Sequence, residues 1–169
     1  MTIRIDNESE KDIGIDYERI AKDVAAAALD YVDCPYECEV NILLTDNAGI
    51  QAMNHRMRSI DAPTDVLSFP TIEFETEGDF SIVEDDILNY FNAESGELLL
   101  GDIMISLEKA AEQAKQFNHS MKREYAFLIA HSMLHLSGYD HMEEAERIQM
   151  EHMQEEILQS IGYTREIMD

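Results

Sequence analysis

The segment His131-Ser-Met-Leu-His135-Leu-Ser-Gly138-Tyr-Asp-His141 places three histidines within 11 residues. Residues four apart on a helix share one face, a turn apart, so the first two imidazoles can converge on one cation. Gly138 can take the positive-φ conformation that ends a helix, letting the chain reverse and return His141 as a third ligand. Three neutral imidazoles at Zn–N distances of about 2.0–2.1 Å leave the fourth tetrahedral position open, which implies chemistry rather than support alone. Two such histidines could equally be satisfied core residues on an apolar helix. The third, placed after a helix-breaking glycine, favours the metal.

Water on such an ion has its pKa lowered toward about 7, and the ion also polarises a phosphoryl oxygen as a Lewis acid. The spacing further matches the H-E-x-x-H-x-x-G-x-x-H pattern of metzincin peptidases, except that Ser132 stands where their glutamate would be. That glutamate is the general base of peptide hydrolysis, and a serine hydroxyl does not replace it near neutral pH. A peptidase would have to draw its base from elsewhere, with Glu143 or Glu144, just after the last ligand, as candidates.

The elements that must carry these residues follow from periodicity. Ile3 and Ile5 alternate as in a short strand, and Tyr17–Tyr31 has the apolar stripe Ile20, Val24, Ala27, Ala28 of a helix. Residues 39–45 read as a strand, followed by Asp46 or Asn47 as cap of a helix running to about Met57. Residues 61–70, bracketed by Pro63 and Pro70, read as a loop and a short strand. Residues 98–105 form an apolar central strand, and Ser106 caps the helix LEKAAEQAKQF. Met121–Leu136 reads as a long core helix bearing the first two histidines. Residues 143–161 read as a final amphipathic helix with Ile148, Met153, Ile157, Leu158 and Ile161 apolar. The sum is an α+β protein, one compact domain over residues 1–169 with a small mixed sheet and a central metal-bearing helix. Residues 71–97 carry nine acids and no lysine or arginine, and read as a largely exposed acidic insertion.

With 169 residues, 45% of them hydrophobic, the chain can bury a core without staples. Cys34 and Cys38 have the wrong spacing for a redox or zinc-ribbon pair and read as reduced core or strand-edge residues. No apolar run nears the roughly 20 residues of a membrane span, and the N-terminal residues lack signal-peptide order, so the expected compartment is the cytoplasm. Thirty-six acidic against 12 basic residues give a net charge of −24. Broad attraction to nucleic acid or anionic membrane is thereby opposed, and a polyanion must be held by a local site.

The histidine segment, together with Thr64–Pro70 (TDVLSFP) and Leu99–Ser106 (LLGDIMIS), resembles the YbeY family of bacterial ribosomal-RNA maturation endoribonucleases. The three motifs stand in the family's order between about Asn54 and His141. The resemblance implies one zinc ion on His131, His135 and His141, and single-strand-specific cleavage of RNA, not DNA. It also implies a role in 16S rRNA 3′-end maturation and ribosome quality control. Implied partners are the 16S rRNA precursor, the small ribosomal subunit and assembly factors such as the GTPase Era, with no membrane.

The family's functionally important arginine matches Arg58, whereas Arg56 is out of register. A guanidinium near the ion would bind phosphate bidentately and stabilise charge on its equatorial oxygens. Asp65 could orient a histidine's second nitrogen or contact substrate, or it could cap a turn. Lys109, Lys115, Lys122 and Arg123 could form a positive strip, although local pairs with Glu108, Glu112 and Glu124 are favoured. His119 and His152 read as surface or helix-face residues, and Phe69 and Phe74 as core. Two other functions fit the same residues: a non-catalytic assembly factor whose metal only fixes the helix end, and a peptidase with a relocated base.

Overall fold

The computed structural model describes residues 1–169. Strand β1 spans Thr2–Asn7 and helix α1 spans Tyr17–Tyr31, capped by Asp16, whose carboxylate accepts from Arg19 N. Strand β2 (Cys38–Thr45) leads into α2 (Asn47–Arg58), and β3 follows at Val66–Pro70. A 3-10 turn (Phe80–Asp86) and the single-turn helix α3 (Ile87–Tyr90) precede β4 (Leu98–Ser106). Helices α4 (Leu107–Gln116), α5 (Met121–Leu136) and α6 (Glu144–Ser160) complete an α+β fold.

The sheet order is β1-β2-β4-β3, with β1, β2 and β4 parallel and β3 antiparallel to β4. Parallel neighbours need long crossovers, and α1 supplies the one between β1 and β2. Alternation along the strands gives the sheet two different faces. Val40, Ile42, Leu44, Ile103 and Ile105 enter the main core with residues of α1 and α5. Met104, Leu67 and Leu43 point the other way and meet Ile50 and Met53 of α2.

Helix α5 is buried on nearly every side, packing on α1, α4, α6, β3 and β4. Ser120 starts it by accepting from Arg123 N at 3.0 Å. At its end Tyr139 N donates to Leu134 O at 3.0 Å, and Gly138 sits at φ +96°. A Cβ on Gly138 would lie 2.8 Å from the Phe74 ring, so both conformation and space demand glycine there.

Three expectations are corrected. Residues 71–97 are not simply exposed: Ile72, Phe80 and Val83 join the core, and Gly78 N donates to Ser137 O at 2.9 Å, docking the segment over the end of α5. Their apolar residues, too sparse for a periodic signal, still sum to a buried face. Asp46 occupies the cap position of α2 but spends its carboxylate on Ser9 and Glu10 N, and Glu108 of α4 accepts from Asn47 N at 2.9 Å instead. On α6, Ile148 is 56% exposed, and Met150, Met153, Ile157 and Leu158 form the buried face. No helix is long and apolar enough to cross a membrane.

Candidate functional site

Helix α5 sets His131 and His135 one turn apart, with their Nε2 atoms 3.1 Å from each other. The turn after Gly138 returns His141, and one nitrogen from each of the three rings lies within 4.8 Å of the others. Tetrahedral ligands with Zn–N bonds of about 2.0–2.1 Å stand about 3.3 Å apart, close to the His131–His135 spacing.

Hydrogen bonding fixes the tautomers of the two helical histidines. His135 Nδ1 faces the Tyr139 carbonyl at 2.9 Å, and a carbonyl can only accept. His135 therefore carries its proton on Nδ1. Gln154 of α6 donates its amide nitrogen to Phe127 O at 3.5 Å, which leaves Oε1 facing His131 Nδ1 at 3.4 Å. His131 is thus also an Nδ1–H tautomer. Both Nε2 lone pairs then point at one another, an arrangement that repels unless a cation lies between them. Burial, with His131 and His141 adding in the same direction, pushes His135 down to about 4. Burial likewise lowers His131, so both rings hold the neutral form a metal requires. These three residues could hold a metal ion.

His131 and His141 open onto a cleft of about 550 Å³, also lined by Arg58, Asp65 and Glu124. Arg58 is the last residue of α2, held at the rim by Ser59 in the left-handed conformation (φ +58°). Three other arginines line the cleft, and all are paired: Arg123 and Arg165 with Glu155, Arg147 with Glu144 and Glu151. Arg58 alone has no carboxylate partner, so its guanidinium is free for an anion. Asp65 makes no bond to a histidine; it accepts from Val66 N at 2.8 Å and from the Thr64 hydroxyl at 3.3 Å, capping the turn into β3.

Ser132 is buried and accepts from Ser68 of β3 at 2.9 Å, so the position of the peptidase glutamate is part of the helix–sheet contact. Glu144 is engaged by Arg147, and Glu143 stands exposed at the start of α6 without a side-chain capping bond. The lysines and Arg123 split between local and distant partners. Lys109 pairs with Glu112 at 3.6 Å, Lys122 lies 5.1 Å over the Tyr163 ring, and Arg123 is buried against Glu155 and Tyr163 O. His152 is exposed beside Glu156, whereas His119 lines the cleft with a buried, unpartnered Nδ1.

Sequence reasoning missed Gln154, Gln113 and Glu124. Gln154 did leave a signal, as a polar residue on the buried stripe of α6 beside Met150, Met153 and Ile157. Glu124 left none, because a glutamate in a helix's first turn is ordinarily a surface residue complementing the dipole.

Fold and site together define a small α+β protein with a three-histidine cluster, able to hold a metal ion, open to a cleft. The chain belongs to the endoribonuclease YbeY family, whose model matches residues 4–162. It is 53% identical over 165 residues to the endoribonuclease YbeY of Agathobacter rectalis, covering 98% of this chain and 100% of that one. The Lachnoclostridium phytofermentans relative of the same name is 54% identical with the same coverage. A Clostridium botulinum relative, also named endoribonuclease YbeY, is 44% identical over 96% of this chain and 99% of its own. A solution structure of a Thermotoga maritima protein shares the fold, with a TM-score of 0.54 at 22% identity over 96% of this chain and 95% of that one.

Proposed function

We propose that the protein is a zinc-dependent endoribonuclease that cuts single-stranded RNA, with His131, His135 and His141 as ligands and Arg58 on the scissile phosphate. Two Nε2 lone pairs facing each other at 3.1 Å, on the wall of a cleft with one unpaired arginine, carry that reading. When bound, zinc would supply Lewis acidity toward a phosphoryl oxygen and lower the pKa of water. The protein's own part is to keep the imidazoles neutral and aimed, through Gln154 and the Tyr139 carbonyl. Arg58 offers a bidentate fork that strengthens as charge grows on the equatorial oxygens. The family's substrate class and the motif match support a cytoplasmic role in 16S rRNA 3′-end maturation and ribosome quality control, with the small subunit and factors such as the GTPase Era as partners. A net charge of −24 makes affinity for free RNA weak and salt-sensitive, so delivery by such a partner is part of the reading.

The test is cleavage of a labelled single-stranded rRNA 3′-end precursor, with and without chelator, with His135→Ala prepared in parallel to control for contaminating nuclease. Cleavage by wild type alone supports the assignment. Equal behaviour of all three samples overturns it for free RNA and favours a non-catalytic assembly factor.

A further inference from the structure

Besides the histidines, the cleft holds a pair of carboxyl groups that the three-histidine site does not use. Glu124, in the first turn of α5, is only 6% exposed yet forms no ion pair, because the neighbouring Arg123 is committed to Glu155 and to Tyr163 O. The Gln113 amide of α4 lies between Glu124 and Asp65. With its nitrogen turned toward them it donates to Glu124 Oε1 at 2.8 Å and to Asp65 Oδ2 at 3.3 Å, the orientation that satisfies both ends of the amide. All three residues line the same cleft as Arg58, His131 and His141.

Two carboxylates bridged by one amide in a half-closed cleft cannot both ionise cheaply. The charged groups acting on Glu124 are Asp65, from the start of β3, and Arg123, on its own helix. Burial first, then the Asp65 charge, push Glu124 up to about 7, and Arg123 offsets only part of this. A carboxyl group poised there exchanges a proton at neutral pH, the condition for general acid catalysis.

We propose that Glu124, held by Gln113 and Asp65, is the general acid that protonates the leaving ribose oxygen of the scissile phosphodiester. This rests on the endoribonuclease reading above. In the step, an attacking water gives its oxygen to phosphorus and its proton to solvent. The bond from phosphorus to the leaving oxygen breaks with its electron pair on that oxygen. The Glu124 O–H bond breaks, its proton goes to the same oxygen, and the carboxylate regains a proton from solvent before the next turnover.

The test compares two diesters with the zinc-loaded protein: a single-stranded RNA oligonucleotide, and bis(4-nitrophenyl) phosphate, whose leaving group departs without protonation. Glu124→Gln is expected to lower kcat/KM on RNA by about 100-fold, with less than about a threefold change on the activated diester. A merely structural role would lower both alike. On RNA the wild-type rate should fall as pH rises through about 7, and Glu124→Gln should lose that limb. Asp65→Asn, which removes the anion holding the proton in place, should move the limb to lower pH. Equal losses on both substrates, undiminished RNA cleavage by Glu124→Gln, or an unmoved limb in Asp65→Asn would each overturn the proposal. If Glu124→Gln fails to fold, the Asp65→Asn profile alone decides. Should wild type and His135→Ala cleave RNA equally, the ribonuclease reading fails and takes this one with it. RNA cleavage that needs His135 but not Glu124 removes only the present inference.

Discussion

Gln154 turns its amide oxygen toward His131 Nδ1 while its nitrogen is tied to the Phe127 carbonyl, so a residue of α6 dictates which nitrogen of an α5 histidine is bare. Replacing it by alanine frees the ring to rotate and to change tautomer. Partners of this kind are worth about 10- to 100-fold in metal affinity. Gln154→Ala should weaken zinc binding by that factor in a chelator competition, and Gln154→Leu, which restores bulk without the acceptor, should not recover it.

Two buried groups make the stability of the metal-free protein depend on pH in opposite senses. His135 is pushed down to about 4, so the unfolded chain takes up its proton first, and stability is lost as pH falls from about 6.5 toward 4. Glu124 is pushed up to about 7, so the folded chain keeps its proton longer, and stability is lost as pH rises from about 4.5 through 7. Each shift corresponds to at most about 3 kcal/mol. Urea unfolding of the metal-free protein at pH 5, 6.5 and 8 should show His135→Gln flattening the acid side and Glu124→Gln flattening the alkaline side. Unchanged slopes in both variants would contradict these shifts.

At Gly138, alanine meets both a positive φ of +96° and the Phe74 ring at 2.8 Å. Strain of this kind costs about 1–3 kcal/mol. Because the turn also delivers His141, Gly138→Ala should lower both the melting temperature and zinc affinity. Leaving room by a second change, Phe74→Ala, should not restore either, since the backbone strain remains.

Arg58 is exposed and unpaired, so its removal should leave the melting temperature nearly unchanged while reducing RNA cleavage by about 100-fold, the typical loss for a donor aimed at developing charge. Arg58→Lys should rescue little, because an ammonium cannot reproduce the bidentate fork. A parallel fall in melting temperature would indicate a structural role instead.

The candidate site was legible in the sequence where its logic is local. Spacing along one helix and a helix-ending glycine suffice to bring His131, His135 and His141 together, and Ser106 marks a helix start by residue type alone. Contacts between distant segments were not legible. Arg123 reads as one of several basic residues in local pairs with nearby glutamates, yet its charge goes to Glu155, 32 residues away. Asp46 reads as a cap for α2, but a loop 36 residues earlier claims it. The acidic segment 71–97 hides Phe80 and Val83 behind its charge. In each case tertiary packing chose among partners that the local pattern left equivalent.

The buried Arg123 also acts as a clasp. From α5 it grips both Glu155 in α6 and the Tyr163 carbonyl just beyond, so the wall that carries Gln154 is riveted to the wall that carries the histidines. Swinging α6 outward would strand a guanidinium in apolar surroundings, at an expense of several kcal/mol. The spacing between these walls is therefore costly to change, and opening the cleft by moving α6 would have to break both of Arg123's contacts.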